Sequence, residues 1–299
     1  MHTTLISVKE LQGLLTSHAD CLVFDCTFEL ANPNAGNQQF AEQHIAGALR
    51  ADLDTHLSTH NDAERANGGR HPLPKREVFA SWLRSMGVND NTQVVVYDRN
   101  GVNYCGRMWW MLKWCGHAAV AVLDGGLQAW NAAGGATSSG NSATNSSKVG
   151  NFSVRIPLLP LVDTATVAAN LNTDQTLIDA RAPARFRGEM EPLDPVAGHI
   201  PGALNRLYST NLNEQGFFKS PGELRQEFEL LLNGKQPNTV VHHCGSGVSA
   251  IPNVLAMEIA GLGPTGLYAG SWSEWCTTPG MPCEKSQDRK STRLNSSHT

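Results

Sequence analysis

Apolar positions along this chain fall into two alternating rhythms, short continuous runs and stretches with helical spacing. Val8–Ser17 has helical spacing, and Cys21-Leu-Val-Phe-Asp-Cys26 is a short apolar run of the kind a buried strand makes. The block Phe40-Ala-Glu-Gln-His-Ile-Ala-Gly-Ala-Leu49 and a polar loop from Asp52 to Pro74 follow. The pattern then predicts a helix over Arg76–Met86, a strand over Gln93–Asp98, a helix over Met108–Cys115 and a strand over Ala119–Leu123. That last strand runs into Asp124-Gly-Gly-Leu-Gln-Ala-Trp130. Strands alternating with helices imply an α/β fold, a parallel sheet covered by helices on both faces.

Residues 134–151 break the rhythm. They are Gly, Ser, Thr and Asn with almost nothing to bury, which reads as a linker. Beyond them the earlier pattern starts again. Leu177-Ile-Asp-Ala-Arg181 matches Val23-Phe-Asp-Cys-Thr27, and Gly198-His-Ile-Pro-Gly-Ala-Leu204 matches Gln43-His-Ile-Ala-Gly-Ala-Leu49. Val240-Val-His-His-Cys244 matches Val94-Val-Val-Tyr-Asp98, and Ala269-Gly-Ser-Trp-Ser-Glu-Trp275 matches Asp124–Trp130. Blocks recurring in one order mean one fold, duplicated, as domains 1–133 and 152–285. The final stretch, 286–299, is polar, aperiodic and unrelated to the other half. It resembles the translation of a sequencing-adapter read-through and is expected to be disordered.

Composition narrows the class. The 299 residues are 40% hydrophobic and 17% charged, with a net charge of −4, as in an ordinary globular protein of two medium domains. No apolar run has the length of a membrane span and no signal peptide is visible. The seven cysteines show no disulfide spacing, which favours a reducing cytoplasm. The acidic balance leaves no footprint for nucleic acid, and no membrane partner is implied.

The chemistry concentrates in Thr239–Gly261, a strand, a glycine loop and a helix, with Cys244 at the carboxyl edge where open α/β sheets place their sites. Gly245 and Gly247 let the backbone turn tightly enough for several N–H groups to face the sulfur. The following helix, with Pro252 in its first turn, adds partial positive charge that favours a thiolate. Taken alone, Cys-Gly-Ser-Gly is equally a small buried cysteine in a strand-to-helix turn. In the ungapped repeat Cys244 faces Asp98, while Gly247 and Val248 face Gly101 and Val102. The first half therefore lacks a nucleophile and should be a non-catalytic copy contributing surface.

The paired His-Ile-x-Gly-Ala motifs, the two Trp-ended blocks and the Cys-Gly-Ser-Gly-Val loop resemble the two-domain rhodanese superfamily of sulfurtransferases. The loop is more similar to 3-mercaptopyruvate than to thiosulfate sulfurtransferases, whose loop carries Arg and Lys where this chain has Gly245 and Ser246. The resemblance implies a Cys244 persulfide held by the loop Gly245, Ser246, Gly247, Val248 and Ser249. It also implies a donor carboxylate bound by Arg185, and a Ser246–His71–Asp54 group that protonates the departing enolate. Arg185 could instead serve a surface ion pair, and His71 could be a solvated loop histidine. The family's second substrate arginine is missing from Glu189–Ala197, with Arg187 and Arg206 nearby, and Ile251-Pro252 is a milder departure.

A phosphatase on the same fold needs an arginine six residues after the cysteine, and Ala250 stands there. His242 and His243 point to opposite faces of a strand, so a metal site with Cys244 is not expected. No zinc pattern, P-loop or dinucleotide fingerprint appears, and no cofactor is expected. His44 and His199 occupy equivalent repeat positions and read as fold-building, and Trp109, Trp110, Trp272 and Trp275 as core and interdomain packing. The expected function is transfer of sulfane sulfur from 3-mercaptopyruvate to thioredoxin, a small thiol or cyanide. The alternatives are a thiosulfate sulfurtransferase and a sulfur-carrier or redox binding module without turnover.

Overall fold

The computed structural model describes residues 1–141 and 149–286; the expected tail and the middle of the expected linker lie outside them. In the first half the elements are β1 (Leu5–Ile6), α1 (Val8–Thr16), β2 (Cys21–Asp25), α2 (Ala35–Glu42), β3 (His44–Ile45), β4 (Leu49–Arg50), α3 (Arg76–Ser85), β5 (Gln93–Tyr97), α4 (Cys105–Trp114), β6 (Val120–Leu123), α5 (Gly126–Ala132) and β7 (Thr137–Ser138). The second half contains β8 (Leu161–Val162), α6 (Thr164–Ala169), β9 (Thr176–Asp179), α7 (Pro183–Arg187), β10 (Leu204–Asn205), α8 (Pro221–Leu232), β11 (Val240–His243), α9 (Ile251–Ile259), β12 (Gly266–Tyr268) and α10 (Ser271–Trp275).

Each half builds one parallel sheet. The order is β1-β6-β5-β2-β4 in the first and, read from the other edge, β8-β12-β11-β9-β10 in the second. Matching strands thus occupy matching places, and β5 and β11 sit centrally, buried along their whole length. Strands covered on both faces need no polar side, which is why β5 reads as an apolar run after Gln93, while β11 buries His242 and His243. Local signals start the helices that flank them. Ser7 with Glu10, and Ser220 with Glu223, form reciprocal capping boxes, and Asp163 Oδ1 accepts from Thr166 N–H.

Two elements differ from the sequence expectation. The helix expected from Met108 begins at Cys105, because the turn before it is closed by the Asp98 carboxylate rather than by any apolar residue. In the Gly/Ser-rich segment, Thr137–Ser138 pairs antiparallel with His44–Ile45; the partner strand, not local propensity, supplies that structure.

The halves join through the helices that follow the two repeat-related loops. Every residue of α4 is buried, and α9 is buried from Ile251 to Met257. Gly106 lets them meet closely, since a Cβ there would lie 3.2 Å from Ile251 Cγ2. One apolar cluster consequently runs through both halves, from Phe24 and Met108 to Val254 and Leu267. Each large apolar side chain buried there contributes about 1.5–3 kcal/mol relative to exposure. Trp109 and Trp110 belong to that shared cluster, whereas Trp272 and Trp275 pack within the second half.

Candidate active site

Cys244 follows β11 directly and is 2% exposed. Its backbone is fixed from both sides: its N–H donates to Ser271 Oγ (3.1 Å), and its carbonyl accepts from Trp272 N–H (2.9 Å). Gly245 O accepts from Ser273 N–H, so α10 clamps the start of the loop. Gly247 has φ +72°, and a Cβ on it would stand 2.2 Å from Ala269 O. Only glycine permits that turn. Ser249 is half-buried, Val248 and Ala250 are buried, and α9 starts at Ile251 with Pro252 in its first turn.

The first half shows what this loop geometry does. Asp98 Oδ1 accepts from the N–H groups of Asn100 (2.9 Å) and Val102 (3.0 Å), and Oδ2 from those of Tyr104 (2.9 Å) and Cys105 (2.8 Å). The turn is an anion nest filled by its own side chain. In the repeat those donors correspond in sequence to the N–H groups of Ser246, Val248, Ala250 and Ile251, with a cysteine in place of the carboxylate, and there Ile251 N–H donates to Val248 O (3.1 Å).

The first half also reaches into the second. Its loop docks with Gly68 N–H donating to Glu274 Oε1 (3.1 Å) and Arg70 N–H to Ser273 Oγ (3.0 Å). That brings His71 Nδ1 to 2.8 Å from Ser246 Oγ, while His71 Nε2 lies 3.6 Å from Asp54 Oδ1, longer than a hydrogen bond. Burial, with the Arg107 and Arg70 cations adding to it, pulls the His71 pKa down to about 3, so the imidazole is neutral. Burial, with the Asp52 charge adding, pushes the Asp54 carboxyl up.

Two guanidiniums flank the loop. A Cβ built on Gly245 would lie 3.0 Å from Arg70 Nη2, and 3.6 and 3.7 Å from Arg185 Nη1 and Nη2. Arg185 holds Glu191 (2.6 Å) and Asp194 (3.2 Å), and Arg70 holds the other oxygen of Asp194 (2.6 Å). Asp194 therefore bridges arginines from the two halves. The loop itself lacks a basic residue, as the sequence shows, but its surroundings supply two cations. Arg187 and Arg206 are engaged elsewhere, Arg187 with Glu189 and Arg206 with Glu227 and Asn211.

Arg70 and Arg107 escaped the sequence reading. Arg70 stood next to the identified His71, and Arg107 is a charge inside the otherwise apolar run Cys105-Gly-Arg-Met-Trp-Trp-Met; both were signals of burial near a site. The other thiols are poor nucleophiles. Burial pushes Cys21 and Cys276 up to about 11 and Cys115 to about 12, and raises Cys26, Cys105 and Cys283 as well. His242 and His243 are fully buried, and no described side chain gathers with them into a metal-binding cluster.

Known proteins resemble this chain over most of its length. A Pseudomonas aeruginosa protein named "Probable 3-mercaptopyruvate sulfurtransferase" is 44% identical over 280 residues, covering 93% of this chain and 96% of its own. A thiosulfate sulfurtransferase of Cricetulus griseus is 31% identical over 287 residues, 92% of each chain. Among solved structures, 3-mercaptopyruvate sulfurtransferase from Leishmania major superposes with a TM-score of 0.78 at 29% identity, over 93% of this chain and 76% of that one. No helix among the described residues is long and apolar enough to cross a membrane. Residues 7–133 and 163–278 each match the rhodanese-like domain, so the chain belongs to the rhodanese family and carries its domain twice.

Proposed function

We propose that this sulfurtransferase takes sulfur from 3-mercaptopyruvate and passes it to a thiol, such as thioredoxin or a small thiol, or to cyanide, through a persulfide on Cys244. The observation that carries the reading is the meeting of three groups at one loop. Cys244 sits on the loop whose counterpart in the first half is an N–H nest, Ser246 is hydrogen-bonded to a neutral His71, and Arg70 and Arg185 lie beside Gly245. The Cys244 thiolate attacks the donor sulfur; an S–S bond forms, the S–C bond breaks, and its electron pair leaves as the enolate of pyruvate. Ser246, held against His71, donates the proton that completes pyruvate, and solvent restores it. The nest N–H groups stabilise sulfur as thiolate and as persulfide. An acceptor thiolate or cyanide then attacks the outer sulfur and releases the Cys244 thiolate.

One observation favours a second reading. The two guanidiniums also suit a dianion, so thiosulfate is the competing donor. Incubating the full chain with 3-mercaptopyruvate should add the mass of one sulfur atom, mapping to Cys244 and lost in Cys244→Ser. kcat/KM should be higher for 3-mercaptopyruvate than for thiosulfate. A preference for thiosulfate would overturn the donor, and a persulfide on Cys105 or Cys276 would overturn the site.

A further inference from the structure

Arg107 is a buried charge that the steps above leave unused. It lies on α4 of the first half and is 0% exposed. Its guanidinium donates only to carbonyls: Nε to Leu57 O (3.3 Å), Nη1 to Gly247 O (3.0 Å) and Nη2 to His71 O (2.7 Å). Those partners are the polar loop of the first half, the glycine turn of the Cys244 loop and the histidine that meets Ser246. Among the described residues no carboxylate lies within ion-pair distance of it, although a guanidinium taken out of water calls for one.

The other arginines around the loop all face carboxylates. Arg181 faces Asp179 and Glu191, Arg185 faces Glu191 and Asp194, and Arg70 faces Asp194. Glu274, on the helix that clamps Cys244, accepts from Gly68 N–H. Asp54, half-buried, approaches His71 Nε2. Burial pulls the pKa of His71 and His242 down to about 3 and lowers that of His243. Of these four arginines Arg107 alone has no carboxylate partner among the described residues, and it is hydrogen-bonded to the carbonyl of Gly247 in the loop that carries Cys244. Burial pulls the Arg107 pKa down to about 9, with the charge on Cys244 opposing the fall.

We infer that Arg107, supplied by the half that has no nucleophile, is the counter-cation of the Cys244 thiolate and persulfide, and that its bond to Gly247 O positions the nest around the sulfur. This rests on Cys244 being the nucleophile. It makes Arg107 a positioning residue that acts through charge and loop geometry.

The test is the pH profile of Cys244 alkylation by iodoacetamide in the full chain, read by peptide mapping, with the other cysteines as internal references. Arg107→Gln should move the profile to higher pH and slow alkylation near neutrality by about tenfold, the rate change of one unit. Arg107→Lys, which keeps the charge, should recover most of that loss. A folded Arg107→Gln protein with the parent profile would overturn the inference. If Arg107→Gln does not fold, Cys244→Ser reads the pair from its other side. Removing the anion should lower the thermal midpoint relative to the parent more in alkaline than in acidic buffer, and an equal loss in both would overturn the inference. Alkylation needs no donor, so failure of sulfur loading on Cys244 would refute the proposed reaction separately.

Discussion

At the scale of single residues, the reactivity proposed for Cys244 comes from what surrounds the sulfur. Arg70 and Arg185 hold one carboxylate between them, Asp194, beside the place a donor carboxylate would take. Arg185→Ala should lower kcat/KM for 3-mercaptopyruvate by about 1.5–3 kcal/mol, and Arg70→Ala by a similar amount. Because they share Asp194, the double variant should fall short of the sum in steady-state kinetics. The buried imidazoles contribute to acid sensitivity, along with carboxyl groups such as Asp179 whose pKa is lowered. His71 and His242 are both held near about 3, each mainly by burial. The unfolded chain binds those protons below about pH 6.5, so their stability contribution is complete above that pH and falls as pH drops toward about 3. Each should cost about 2 kcal/mol by about pH 5, and His71→Gln should shrink the urea-measured loss between about pH 7 and pH 5 by that much. An unchanged loss would show that His71 titrates normally. The cysteine and its loop were legible because strand, glycines and helix are contiguous. Arg70 was not, because its role depends on Asp194 and Gly245, which only folding brings to it.

At the scale of elements, the repeated strand–loop–helix is one device in two states. In the first, Asp98 satisfies four backbone N–H groups that would otherwise be buried without partners. Asp98→Ala should therefore lower the unfolding free energy by about 2 kcal/mol or more, at about 1–3 kcal/mol for a lost buried partner. It should leave kcat within a factor of about two, since no reacting group touches Asp98. A large loss of kcat with unchanged stability would reverse these roles. Periodicity located the central strands and most helices. It missed the start of α4, where a carboxylate rather than an apolar residue closes the turn, and it missed β7, whose sequence has no strand character of its own.

At the scale of the whole molecule, the two halves share one core and one site. The interface turns on Gly106, whose missing side chain lets α4 lie against Ile251. Gly106→Val should destabilise the protein by about 1–3 kcal/mol through overpacking. It should also lower kcat, although residue 106 touches no substrate, because α4 carries Arg107 and through it His71. Unchanged kcat in the folded variant would uncouple the interface from the site. Removing residues 1–141 should abolish activity along with His71, Asp54, Arg70 and Arg107. Full turnover by the second half alone would remove all of them from the mechanism. The duplication itself was legible in the four repeated blocks, and the resemblance implied a site shared through Ser246, His71 and Asp54; the places of Arg70 and Arg107 were not legible, because they reside in contacts between the halves that only folding makes.

The filled nest of Asp98 also bears on the history of the molecule. A copy that loses its nucleophile to a residue satisfying the same donors does not decay; it gains a reason to keep its shape. The mouth of that turn is lined by Glu214 and Gln215, with no arginine among its described walls, so restoring a cysteine at position 98 would recreate the thiol without its surroundings. The step works as a ratchet. With its nest filled, the first half turns its loops toward its sister, and the division of labour between them is hard to undo.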